Sequence, residues 1–88
     1  MNRAPTVSVL MSCYNGQDYI ATAIESVLFQ DFQDFELIIV DDASIDGTVE
    51  IASKYRNDPR VRLIVNSQNR GQFPNRNYAA GLAGGKFI

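Results

Sequence analysis

Short apolar runs, each ending in polar residues, alternate along this chain with stretches in which apolar positions recur every three or four residues. Val7-Ser8-Val9-Leu10-Met11 is a compact apolar run and predicts a first strand, closed by the polar turn Ser12-Cys13-Tyr14-Asn15-Gly16. A helix then follows from near Gln17 or Asp18, with Asn15 as candidate cap and Ile20, Ile24, Val27 and Leu28 as its inward stripe. Asp31 to Asp34 interrupt that period and lead into a second strand at Phe35. Leu37, Ile38, Ile39 and Val40 are apolar without alternation and three are β-branched, the pattern of a strand buried on both faces of a parallel sheet. This strand ends in Asp41-Asp42.

Asp46 is placed to cap a second helix, with Gly47 and Thr48 in its first turn. Val49, Ala52 and Tyr55 form its inner face and Glu50 and Lys54 a solvated pair, until Asn57-Asp58-Pro59 stops it. Val61-Arg62-Leu63-Ile64-Val65 predicts a third strand, nearer a sheet edge, and Asn66 to Gly71 a polar loop. Pro74 to Ala83 suit a third helix rich in small residues, ended by Gly84-Gly85, and Lys86-Phe87-Ile88 opens a fourth strand. Strands and helices in this alternation predict an α/β chain with a parallel sheet and helices on its faces. A chain that stops inside an apolar strand leaves an unpaired edge. The sequence therefore reads as one domain, residues 1–88, cut from a longer protein, and the open edge admits pairing with a second copy.

Composition narrows the function. A net charge of −2 offers no basic face for nucleic acid. One cysteine, Cys13, rules out an internal disulfide, and with no histidine a Cys/His metal site is excluded within the chain. No apolar run approaches the ~20 residues of a membrane span, and the N-terminus has no secretory core. These features predict a cytoplasmic setting, or a membrane-peripheral one for a longer parent.

The chemistry gathers at predicted strand ends, where open parallel sheets form their ligand crevice. Adjacent carboxylates repel and lose solvation when covered, so Asp41 and Asp42 add nothing to stability as a pair. With Ser12, Tyr14 and Asn15 on the neighbouring turn, an aromatic face and a carboxylate could hold a planar heterocycle. Equally, Tyr14 could pack on a helix and the aspartates cap their own loop. Asp46 reads as structural. Arg76, near the predicted third helix start, could reach a phosphate, a base or an aspartate, or form a surface ion pair. No P-loop and no Gly-x-Gly-x-x-Gly follows the first strand, which argues against ATP- and NAD-type sites.

Three blocks together resemble the inverting family 2 glycosyltransferases: Val7 to Asn15, Ile39 to Thr48 with its Asp-Asp-x-Ser-x-Asp-Gly-Thr, and Asn69-x-Gly71 followed by Arg76-Asn77 and Gly81 to Gly85. Their order and spacing match the family from Val7 to Ile88. The resemblance implies the Rossmann-like nucleotide-binding half of a glycosyltransferase A fold, truncated at the start of its fourth strand. It implies a nucleotide-diphospho-sugar donor, with Tyr14 near the base, Ser12 lining the pocket, Asp42 accepting from the base and Arg76 in contact with it or its surroundings. Asn15 and Asp41 complete the set, Asp41 chiefly as a loop organiser.

Ser12 stands where proline is commoner, and Pro74-Asn75 where a small residue precedes the arginine. The family's metal-binding Asp-x-Asp follows the strand that begins at Lys86, and the catalytic base lies further on. A divalent Mg or Mn is therefore expected in the full enzyme and not bound tightly by this chain, which by itself should not turn over. The alternative is a non-catalytic nucleotide-binding or receiver-like regulatory module. A receiver needs a further aspartate after its third strand, where this chain has Asn66-Ser67-Gln68-Asn69.

Overall fold

The strand Phe35–Asp41 (β2) lies inside a parallel sheet, and every one of its seven residues is buried. The structure, a computed structural model, describes residues 5–69 and the backbone of residues 86–87. Val7–Cys13 (β1) pairs with β2 along its whole length, Val7 opposite Phe35 and Cys13 opposite Asp41. Val61–Val65 (β3) flanks β2 on the other side, and Lys86–Phe87 (β4) pairs with the start of β1. The sheet order is β3-β2-β1-β4, all parallel. The chain thus builds outward from β1 to β3 and then returns to the far side of β1. That reversal is the switch point at which open α/β sheets bind their ligands.

The helices Ile20–Leu28 (α1) and Thr48–Ser53 (α2) both cover one face of the sheet. Ile20, Ile24 and Leu28 meet Phe35, Leu37, Ile39 and Ala52 there, with Val27, Ile51, Tyr55 and Leu63 packed around them. On the second face Ile38 and Val40 pack with Leu10 and Ile64. Leu37, Ile38, Ile39 and Val40 have no exposed surface. Each contributes roughly 1.5–3 kcal/mol of transfer free energy as an upper estimate. Burial on both faces is why this strand reads as an unbroken apolar run.

Several boundaries differ from the sequence reading. β1 continues two residues further, so Ser12 and Cys13 are strand residues and the turn begins at Tyr14. Helix α1 starts at Ile20, not near Gln17, and Tyr19 at its N-cap makes no side-chain cap bond. Asn15 is therefore not a helix cap, because its side chain is used to bind another loop. Helix α2 starts at Thr48, with Gly47 at its N-cap. Its inward residues are Ala52 and Ile51, Tyr55 packs on the same core from just beyond its end, and Val49 is not among the residues packed there. A short 3-10 turn, Lys54–Asn57, ends the helix, and Asp58 turns extended (ψ 123°) before Pro59, as a residue before proline must. The helix expected over Pro74 to Ala83, and Arg76 with it, lies outside the described residues.

Candidate functional site

Equal register brings the carboxyl ends of β1 and β2 level, Cys13 beside Asp41. Successive side chains of a strand point to opposite faces, so the two adjacent acids are directed apart and their repulsion is reduced. Asp41 shares the face of Leu37 and Ile39 and is fully buried. Its Oδ2 accepts from the Ser44 N–H (2.9 Å), and its Oδ1 from the Ser44 hydroxyl (2.6 Å) and the Cys13 thiol (3.5 Å). This clamp holds a turn in which Ala43 takes a left-handed φ of 66°, a conformation that side chains other than glycine and asparagine seldom adopt. Asp41 thus organises its loop.

Burial, and then the Asp41 charge, push the Cys13 thiol up to about 12. The reactive species is the thiolate, so Cys13 of the folded chain is expected to react with a disulfide reagent at pH 8 more than about 100-fold more slowly than the guanidinium-unfolded chain. Comparable rates would show that the thiol is not held in this environment.

Two hydroxyl relays join the loop after β1 to the loop after β2. In the first, the Asn15 N–H donates to Ser44 Oγ (2.8 Å), whose hydroxyl donates to Asp41. In the second, the Gly16 N–H donates to Thr48 Oγ1 (2.7 Å), whose hydroxyl donates to Asp46 Oδ1. Asn15, itself left-handed at φ 50°, accepts the Ile45 N–H on its Oδ1 (2.9 Å), and Gln17 Oε1 accepts the Gly47 N–H (2.8 Å).

Asp46 accepts the Thr48 N–H (2.9 Å) and the Gln17 N–H (3.3 Å). It serves the helix start from one residue outside the N-cap. The Thr48 hydroxyl, above all, holds its carboxyl below the usual aspartate range. The motif Asp41-x-x-Ser44-x-Asp46-Gly47-Thr48 is thus largely a scaffold. The sequence motif contains Ser44 and Thr48 without a role for either; the signal of that role is a hydroxyl two or three residues after an aspartate.

Asp42 is different. Its backbone N–H donates to the Cys13 carbonyl (2.9 Å), extending the ladder one residue beyond β2, and only 4% of the residue is exposed. Its Oδ1 accepts from Asn66 Nδ2 (3.1 Å). Asn66 is itself buried, and its N–H donates to the Asp41 carbonyl (2.8 Å), linking the end of β3 to that of β2. By sequence Asn66 is the first residue of a polar loop; its signal is a polar side chain directly after the strand that neighbours the acid pair. Across the β1 end, Tyr14 is 50% exposed and Ser12 is exposed. A half-exposed ring is available for stacking in a way a packed core tyrosine is not.

Asp41, Asp42, Ser12, Tyr14 and Asn15 therefore belong to one edge of the sheet. A recess of about 320 Å³, lined by Phe35, Glu36, Arg60 and Arg62 among others, lies at the other end of β2 and is separate from them. Among the described residues no three histidine, cysteine or acidic side chains form a group able to hold a metal ion. Asp41 is already engaged by Ser44, so this pair does not fit a metal centre.

The sheet order, the helix-covered face and the polar loops at the carboxyl strand ends define the Rossmann-like N-terminal half of a glycosyltransferase A fold. Nothing in that geometry requires one nucleotide or one acceptor. The chain belongs to glycosyl transferase family 2, whose pattern it matches over residues 8–88. It is similar to ExoO, a succinoglycan biosynthesis protein of Rhizobium meliloti, at 40% identity over 88 residues, 100% of this chain and 25% of ExoO.

It also resembles S. aureus TarS 1-349, solved in complex with UDP-GlcNAc, with a TM-score of 0.85 and 35% identity over 94% of this chain and 26% of that one. The mannosyltransferase PcManGT of Pyrobaculum calidifontis, solved with GDP-Man and Mn2+, gives a TM-score of 0.81 and 26% identity over 93% of this chain and 25% of its own. The chain spans about a quarter of the length of each of these three relatives. Among the described residues no helix is long and apolar enough to cross a membrane.

Proposed function

We propose that this chain supplies the donor site of a glycosyltransferase that takes a sugar from a nucleoside diphosphate and transfers it to an acceptor hydroxyl with inversion. The observation that carries the reading is the buried Asp42 carboxylate set level with the half-exposed Tyr14 at the switch point of the sheet. A carboxylate accepts the ring N–H of uracil or guanine, and a tyrosine ring covers the base face. Ser12 lines the same edge, and Arg76 is assigned to the base or its surroundings by its place in the family motif. Asp41 and Asn15 shape the loops that carry these groups.

UDP- and GDP-sugars are the bound donors in TarS and PcManGT, which supports a nucleotide-sugar donor here. The succinoglycan biosynthesis protein ExoO supports a role in polysaccharide assembly, and a nucleotide-sugar donor fits the cytoplasmic or membrane-peripheral setting expected from the sequence. Transfer would break the bond between anomeric carbon and diphosphate as the acceptor oxygen, relieved of its proton by a general base, bonds from the opposite face. A divalent metal bound in the whole enzyme would supply charge neutralisation for the departing diphosphate. Asp41 is engaged by Ser44 and Asp42 is assigned to the base, so neither is assigned as the general base, and the chain alone is assigned binding and not turnover.

Calorimetric titration with UDP, GDP, ADP and CDP tests the reading. UDP or GDP should bind, and Asp42→Ala and Tyr14→Ala should each weaken it about tenfold or more with circular dichroism unchanged, base stacking alone being worth about 1–3 kcal/mol. Equal binding of all four nucleotides, or no effect of either substitution, would refute the site. Metal-dependent transfer by the chain alone would refute the assignment of binding only.

A further inference from the structure

We propose that Asn66 is a positioning residue for the donor base, acting by orienting the Asp42 carboxylate; this rests on the donor-site reading above. Two of its hydrogen bonds bear on the site. The Asn66 N–H donates to the Asp41 carbonyl, a task that any residue except proline performs. The side-chain amide does something further, donating Nδ2 to Asp42 Oδ1 at 3.1 Å from a position only 7% exposed. A carboxylate oxygen only accepts, so the NH2 end of the amide must face it.

The choice of an amide matters for a ligand. A carboxylate with 4% exposure needs a donor to fix its rotamer and replace lost water. Lysine or arginine would do both, but would also neutralise the charge that makes the carboxylate a strong acceptor. A neutral N–H orients one oxygen without adding a positive charge of its own. The anchor is rigid, because Asn66 is tied to β2 and Asp42 to β1 by backbone bonds. Three strand ends thus hold one acceptor.

The test uses this chain with UDP and GDP as probes, in wild type, Asn66→Asp and Asn66→Ala, each at pH 7.5 and pH 5.5. The quantity read is the ratio of variant to wild-type Kd at each pH, which cancels titration of the nucleotide itself. Among the described residues the ionisable groups at the adjoining strand ends, Asp41 on β2, Cys13 on β1 and Tyr14 just after β1, are common to all three proteins. Asn66→Asp keeps the shape but replaces the donor by a like charge, which raises the proton affinity of the pair. Its ratio should be about tenfold at pH 7.5 and fall to within about threefold at pH 5.5, where the introduced carboxyl carries a proton and again donates to Asp42.

Asn66→Ala should give about tenfold at both pH values, since it has nothing to titrate. A purely structural role would leave the Asn66→Asp ratio independent of pH. That result, or binding by Asn66→Ala within about twofold of wild type, overturns the inference while the nucleotide site stands. Asn66→Ala adds no charge and decides the question if Asn66→Asp does not fold. If the wild type binds neither probe, the donor-site reading falls and this inference falls with it.

Discussion

Asp41→Ala is expected to destabilise the fold by about 3 kcal/mol or more, a large share of the roughly 5–10 kcal/mol typical of a small domain. The substitution removes the acceptor of the Ser44 N–H, the Ser44 hydroxyl and the Cys13 thiol together. Each buried donor left unmade costs about 1–3 kcal/mol, and the turn loses the clamp that holds Ala43 in its left-handed conformation. The melting temperature should fall by more than about 10 °C. Asp41→Asn should lie between, because its amide offers one oxygen to two Ser44 donors. Ser44→Ala should cost about 1 kcal/mol, and the double substitution should cost less than the sum, since the two side chains act as one network. A melting temperature for Asp41→Ala within a few degrees of wild type would show that the loop holds its shape without the clamp.

Thr48→Val is the second large effect. The substitution conserves shape at a residue with no exposed surface, so no cavity forms and the result reads hydrogen bonding alone. Thr48 Oγ1 accepts the N–H of the buried Gly16 and donates to Asp46 Oδ1. Valine leaves that N–H without its acceptor and removes the bond that does most to lower the Asp46 pKa. We expect a loss of about 2–3 kcal/mol at pH 7 by chemical denaturation. Thr48→Ser keeps the hydroxyl and should recover most of that loss, apart from the missing methyl group. If valine and serine prove equally stable, the relay from Gly16 to Asp46 carries no weight.

Asp41 looks like a ligand group in the sequence and acts mainly as architecture in the structure. Conversely Asn66, which reads as loop, touches the acid assigned to the ligand. Sequence pattern identifies where polar residues collect but not which other polar group each one meets. Asn15 is an example. An asparagine just before a predicted helix is a reasonable cap, yet here its carbonyl oxygen takes an amide from Ile45, thirty positions away.

Periodicity and residue chemistry alone determine much of this protein. Four consecutive apolar residues ending in aspartates define a central buried strand with its site end marked, because water excludes such a run from any exposed place. The alternation of strands and helices, the edge position of β3 and the stop before Pro59 follow from equally local rules. Tertiary structure decides the division of labour between Asp41 and Asp42. They are neighbours in the chain, but strand geometry sends their side chains different ways, one to Ser44 and the other to Asn66. Those partners are set by parallel pairing of β1, β2 and β3, and contacts across strands leave no period in a single sequence.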